Sequence, residues 1–176
     1  MKKWLALLAG CLFGLFVVGL LVAYRIGAFN RVQLSREERG PYRIVCLSHR
    51  GAYNKIKAKI LAVEAMLKEA GVERVAPCGV YYDNPAEVPE EELSSKGGFV
   101  VRGEVAVDGA FEIVEIPRRE VLWARFEGHP SVAPVKIYPE MAAWLADHGW
   151  RRGSPVIEFY RPGRIECEMP IERPAP

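Results

Sequence analysis

Gly71-Val72-Glu73-Arg74-Val75-Ala76-Pro77-Cys78-Gly79-Val80-Tyr81-Tyr82 returns in outline as Gly149-Trp150-Arg151-Arg152-Gly153-Ser154-Pro155-Val156-Ile157-Glu158-Phe159-Tyr160. The glycine, proline and second tyrosine keep one offset, 78 (149 − 71, 155 − 77, 160 − 82). Upstream, Gly51-Ala52-Tyr53 and Gly128-His129-Pro130 open the two copies, here 77 apart (128 − 51). Within this alignment Val80 stands where the second copy has Glu158. A duplicated scaffold with one acid in one half suggests a two-sided pocket with a single charged contact.

Around this repeat the elements follow from periodicity. Arg43 to Ser48 reads as a strand with a buried centre. Ile56, Ile60, Val63 and Leu67 mark one helix face, with Asn54 as the expected N-cap and Gly71 as the C-terminal cap. Cys78 to Tyr82 is the next strand. Residues 84–97, rich in Pro and Glu, read as a flexible loop. Phe99, Val101, Gly103, Val105 and Val107 alternate with polar or small residues, and Asp108-Gly109 turns that strand into Phe111–Ile116 as a hairpin. After a strand over Val121–Glu127, a second helix lies within Ser131–His148. Its expected apolar face is Val135, Tyr138, Ala142 and Leu145, and Pro139 is expected to kink or restart it. Val156–Tyr160 and Arg164–Ile171 form a hairpin at Pro162-Gly163. The predicted fold is α+β: two βαββ repeats related by pseudo-two-fold symmetry, in an antiparallel sheet with two helices on one face.

The N-terminal part differs in kind. Trp4 to Tyr24 is an apolar run of 21 residues without a charge, long enough as a helix for the ~30 Å hydrocarbon core. The expected organisation is a transmembrane anchor over 1–25, a juxtamembrane connector over 26–41 and a ligand-binding domain over 42–173. A short Met-Lys-Lys start behaves as a signal anchor, so the expected location is the cell membrane, single-pass, with the domain outside the cytoplasm. Leu8-Ala9-Gly10-Cys11 also has the form of a lipobox, which would mean cleavage and lipidation at Cys11.

The net charge of +2 and the alternation of acids and bases give no footprint for nucleic acid. His49, His129 and His148 show no metal spacing, and neither a phosphate loop nor a nucleophile motif is found. No metal or cofactor is expected. Strand alternation puts Val156, Glu158 and Tyr160 on one face and Ile157 and Phe159 on the other. With Ile157 and Phe159 assigned to the helices, Glu158, Tyr160 and the repeat-related Tyr82 point to an open face opposite them. Trp123 is the candidate floor. A carboxylate among aromatic rings can orient a cationic or donor-rich ligand.

Ser48-His49-Arg50-Gly51-Ala52-Tyr53, Val80-Tyr81-Tyr82-Asp83-Asn84-Pro85, Trp144-Leu145-Ala146-Asp147-His148-Gly149 and Ile157-Glu158-Phe159-Tyr160 together resemble the GyrI-like small-molecule-binding domain family. The resemblance covers roughly residues 30–173. It implies two βαββ repeats and a groove between them that binds apolar, often cationic compounds, with Glu158 and Tyr160 at the family's acid and aromatic positions. Some members use that acid to hydrolyse strained electrophiles. Tyr81-Tyr82-Asp83-Asn84-Pro85, Val88-Pro89 and His129-Pro130 are also similar to an animal ER-phagy receptor of testis, which joins one membrane helix to such a domain. Its long tail has no counterpart here, so a receptor function is not implied. The expected function is capture of a small amphipathic or cationic molecule by a membrane-tethered domain through Glu158, Tyr160, Tyr82 and Trp123. The alternatives are a hydrolase using Glu158, and an interaction module that meets a membrane protein partner through the loop 84–97.

Overall fold

The computed structural model describes residues 2–173, with the side chains of residues 2 and 5–9 excepted. In chain order the elements are α1 (Lys2–Arg25), β1 (Val32–Arg39), β2 (Tyr42–Arg50), α2 (Lys57–Glu69), β3 (Arg74–Tyr81), β4 (Ser94–Val101), β5 (Phe111–Ile116), β6 (Arg119–Glu127), α3 (Ala133–His148), β7 (Arg151–Arg152), β8 (Val156–Arg161) and β9 (Arg164–Glu172). Among the described residues the fold is α+β, a nine-strand antiparallel sheet with three α-helices.

The expected transmembrane helix requires correction. Among the described residues no helix is long and apolar enough to cross a membrane. The lipobox reading falls partly on Leu8 and Ala9, whose side chains lie outside the described residues.

Apart from β7, which pairs only with β9, the strand order is β1-β6-β9-β8-β3-β4-β2-β5. It is a palindrome about the β8–β3 junction, with β1 matching β5, β6 matching β2 and β9 matching β4. Each repeat therefore carries an extra leading strand, ββαββ in place of the expected βαββ. β1 lies within the segment read as a connector and pairs along its whole length with β6. β4 begins at Ser94, inside the segment read as a loop, and ends at Val101. β5 pairs with β2, not with β4, so the expected hairpin at Asp108-Gly109 is absent.

The sheet cannot be flat. β1 and β2 lie six strand positions apart, about 29 Å at ~4.8 Å per strand. Only Gly40 and Pro41 join them, a reach of about 11 Å. β5 and β6 are likewise joined by Pro117 and Arg118 alone. The two connections touch: a Cβ on Gly40 (φ 90°) would lie 2.9 Å from the Pro117 carbonyl oxygen. The sheet therefore curls until its margins meet at this crossing.

Both faces of the curl are apolar. Outside, α2 buries Ile60, Val63 and Leu67 against Val45, Phe99 and Val101, each side chain contributing about 1.5–3 kcal/mol. Beside it α3 buries Ala133, Ile137, Met141 and Leu145 against Leu122, Phe126, Ile165 and Met169. Val135, expected on that face, is 71% exposed. The stripe actually buried recurs every four residues, and α3 runs on through Pro139. Inside, Ile44, Cys46, Cys78, Val80, Ile157 and Phe159 form a separate core. Asn54 does not cap α2; it lies in the 3-10 turn Tyr53–Lys55, and the N-cap is Ile56.

Candidate functional site

The inner core corrects the face assignment of β8. Ile157 and Phe159 point into the curl, and Val156 packs under α3. Glu158 and Tyr160 therefore lie on the helix-bearing face. Tyr82 packs against the inner core. Trp123 shares the inner face too, since its neighbours Leu122 and Ala124 pack under α3. Of the four predicted residues, the structure brings together Glu158 and Tyr160 and leaves Tyr82 and Trp123 on the opposite face.

The ladder shows why the repeat alignment misled. Directly paired residues share a face, and one row on the helix face reads Leu47, Gly97, Gly79, Glu158, Cys167 and Ala124 across β2, β4, β3, β8, β9 and β6. Leu47 and Ala124 keep the offset of 77 shown by Gly51 and Gly128 (124 − 47). At the centre the offset is 79 (158 − 79), so Glu158 faces its own repeat equivalent, Gly79, across the pseudo-axis. The same offset makes Tyr81 the equivalent of Tyr160. The even offset of 78 had matched residues of opposite faces.

Glu158 sits in a cluster of phenols. Tyr138, from α3, donates its hydroxyl hydrogen to Glu158 Oε1 at 2.6 Å. Tyr160 donates to Oε2 at 2.9 Å. The Tyr81 and Tyr160 hydroxyls, related by the pseudo-axis, hydrogen-bond to each other. The Tyr81 ring folds back over Gly79, where a Cβ would lie 2.6 Å from its hydroxyl oxygen. Only glycine at position 79 leaves room for that ring. Tyr53, at the entry to α2, lies 4.7 Å from Tyr81 between ring centroids, tilted by 59°. Its hydroxyl donates to the Asp83 and Ser94 carbonyl oxygens at 3.2 Å each. Tyr160 packs against the cores under both helices, which places the cluster at the seam between α2 and α3.

Glu158 keeps intermediate exposure, yet its surroundings desolvate it and raise its pKa, against the two tyrosine hydrogen bonds that lower it. Tyr138 and Tyr160 are held well above the ordinary phenol range, chiefly by burial, so both remain O–H donors. Sequence reasoning missed Tyr81, Tyr53 and the role of Tyr138. The 77-residue spacing of the opening glycines would have set Tyr81 against Glu158 (81 + 77); the offset of 79 that pairs Tyr81 with Tyr160 (160 − 81) comes from the strand register alone.

The family model of the GyrI-like small molecule binding domain matches residues 33–171. The chain belongs to the GyrI-like family. Among solved structures, this GyrI-like chain is similar to the EcmrR C-terminal domain, with a TM-score of 0.69 and 16% identity over 81% of this chain and 99% of that one. EcmrR in a DNA complex matches with a TM-score of 0.69 and 14% identity, over 98% of this chain and 69% of that one. The protein SAV2435 bound to tetraphenylphosphonium matches with a TM-score of 0.53 and 11% identity, over 80% of this chain and 94% of that one. At these identities the likeness establishes the fold alone. No curated protein matches the chain in sequence, and nothing found supports the likeness to an ER-phagy receptor.

Proposed function

We propose that the domain captures a small apolar cation, or a donor-rich molecule of similar size, at the seam between α2 and α3, with Glu158 as the polar contact. The observation that carries this reading is a partly desolvated carboxyl group whose two oxygens are held by tyrosine hydroxyls. Both oxygens are satisfied, so a ligand must displace a hydroxyl. A ligand cation repays this, because it neutralises the carboxylate where water screens poorly and gains the faces of the surrounding tyrosines. The tetraphenylphosphonium complex of SAV2435 agrees with a ligand of this class. Tyr81, Tyr138 and Tyr160 replace Tyr82 and Trp123 as the aromatic wall.

Thermal shift tests the preference for charge. Tetraphenylphosphonium should raise the melting temperature, and a neutral tetraphenyl compound at equal concentration should raise it less. Equal shifts would remove the carboxylate from the recognition.

A second reading, hydrolysis of a strained electrophile, draws on the raised pKa of Glu158, which suits a general base. It requires turnover that is lost in Glu158→Ala; turnover surviving that change would exclude the mechanism.

A further inference from the structure

A second polar cluster lies on the inner face of the curl, which the proposed ligand site does not use. Its centre is Glu168, 2% exposed and directly opposite Trp123 in the β6–β9 ladder. Tyr42 donates to Glu168 Oε1 at 2.9 Å, and Arg39 Nε is 3.9 Å from the same oxygen. The Arg39 guanidinium lies over the Trp123 ring at 5.0 Å, and its Nη2 is paired with Glu37 at 2.8 Å. Arg119, on the face of β6 that carries Trp123 and directly paired with Arg39 across β1 and β6, lies within electrostatic reach of Glu168 and Tyr42, and among the described residues its buried Nε and Nη2 have no hydrogen-bond partner. Glu168 Oε2 and Trp123 Nε1 are also buried without a partner among the described residues.

Such a set has a direction. A buried donor or acceptor left unpaired forfeits its full desolvation cost, and here the unpaired groups are complementary in kind. Arg119 Nε–H and Nη2–H form the two-pronged edge that matches a carboxylate. Glu168 Oε2 is a buried, unpaired acceptor within electrostatic reach of that edge. Arg39 Nε is buried without a hydrogen bond and faces Glu168 at 3.9 Å, but the Arg39 charge is balanced by Glu37 at Nη2, which leaves Arg119 and Glu168 as the remaining cation and anion. A simple anion would answer Arg119 and be repelled by Glu168; a simple cation would do the reverse. A zwitterion answers both.

We propose that this end of the curl is a second small-molecule site, which takes a zwitterionic head group, the carboxylate on Arg119 and the ammonium on Glu168, as in a free amino acid. Trp123 Nε1 supplies a further donor to the carboxylate. The four polar atoms, Arg119 Nε and Nη2, Glu168 Oε2 and Trp123 Nε1, are themselves covered; the intermediate exposure of Arg39, Arg119 and Trp123 lies on other atoms of their side chains, so a head group enters by displacing those side chains. The site is distinct from Glu158, which lies on the other face of the sheet.

The Trp123 indole N–H resonance, followed by NMR in the full chain, tests this with glycine as the probe. Acetate and methylammonium serve as the two half-probes. Glycine should move the resonance saturably, and neither half-probe should match it. Arg119→Gln should weaken glycine binding at least ~10-fold, and Glu158→Gln should leave it unchanged. Should Arg119→Gln fail to fold, Arg119→Lys keeps the charge without the fork, and the same loss is required of it. No saturable shift with glycine, an equal shift with acetate, or full binding by the Arg119 variant would each overturn the proposal.

Discussion

Glu158 is held between opposing demands. Desolvation favours its neutral form, and the hydroxyls of Tyr138 and Tyr160 favour its ionised form. The net effect raises the folded-state pKa. Relative to the unfolded chain, the protonated acid is therefore favoured on folding. The stability linked to this group is fully present below the unfolded value of about 4.3 and is lost as pH rises through the higher folded value. Glu158→Gln does not titrate, so its melting temperature should gain on wild type as pH rises through that window. A difference independent of pH would contradict the raised pKa. Tyr138→Phe removes the donor to Oε1 and should destabilise the fold by about 1–3 kcal/mol in denaturant titration, while raising the Glu158 pKa further. Gly79→Ala places a methyl group against the Tyr81 ring and should cost about 1–3 kcal/mol. An unchanged denaturation midpoint would mean that the ring does not lie there.

At the scale of elements, legibility depended on whether one face or two were covered. In α2 one stripe is buried and the rest is solvated, so its 3.6-residue spacing gave Ile60, Val63 and Leu67 directly. In β9 the odd residues 165, 167, 169 and 171 alternate as expected. β8 was different. Both of its faces are covered, by α3 outside and by the inner core inside, so alternation showed that two faces existed without showing which one met the helices. Tyr138 was read as apolar helix surface because its ring packs as such; its hydroxyl finds Glu158 only through the pairing of strands distant in sequence. α3 ends on Gly149, in the left-handed conformation with φ 68°. Gly149→Ala should lower stability by about 1 kcal/mol, read from the melting temperature.

For the whole molecule, the two-residue connections at Gly40-Pro41 and Pro117-Arg118 impose the curl, and the curl creates two chemically separate faces. Cys46, Cys78 and Cys167 are buried within the fold. Burial pushes the Cys46 thiol up to about 11 and raises Cys78 and Cys167 as well. Exposed Cys11 should therefore be the thiol that iodoacetamide labels in the native protein, and labelling of the other three should require unfolding. The outer face presents a carboxyl group on the pseudo-two-fold axis, opposite the glycine that is its repeat equivalent. The ligand-binding account depends on that asymmetry. Calorimetric titration of tetraphenylphosphonium into wild type and Glu158→Gln tests it most directly. The account predicts saturable binding to wild type and at least ~10-fold weaker binding to the variant, the loss expected when a desolvated charge partner is removed. Equal affinity in the two proteins would contradict it.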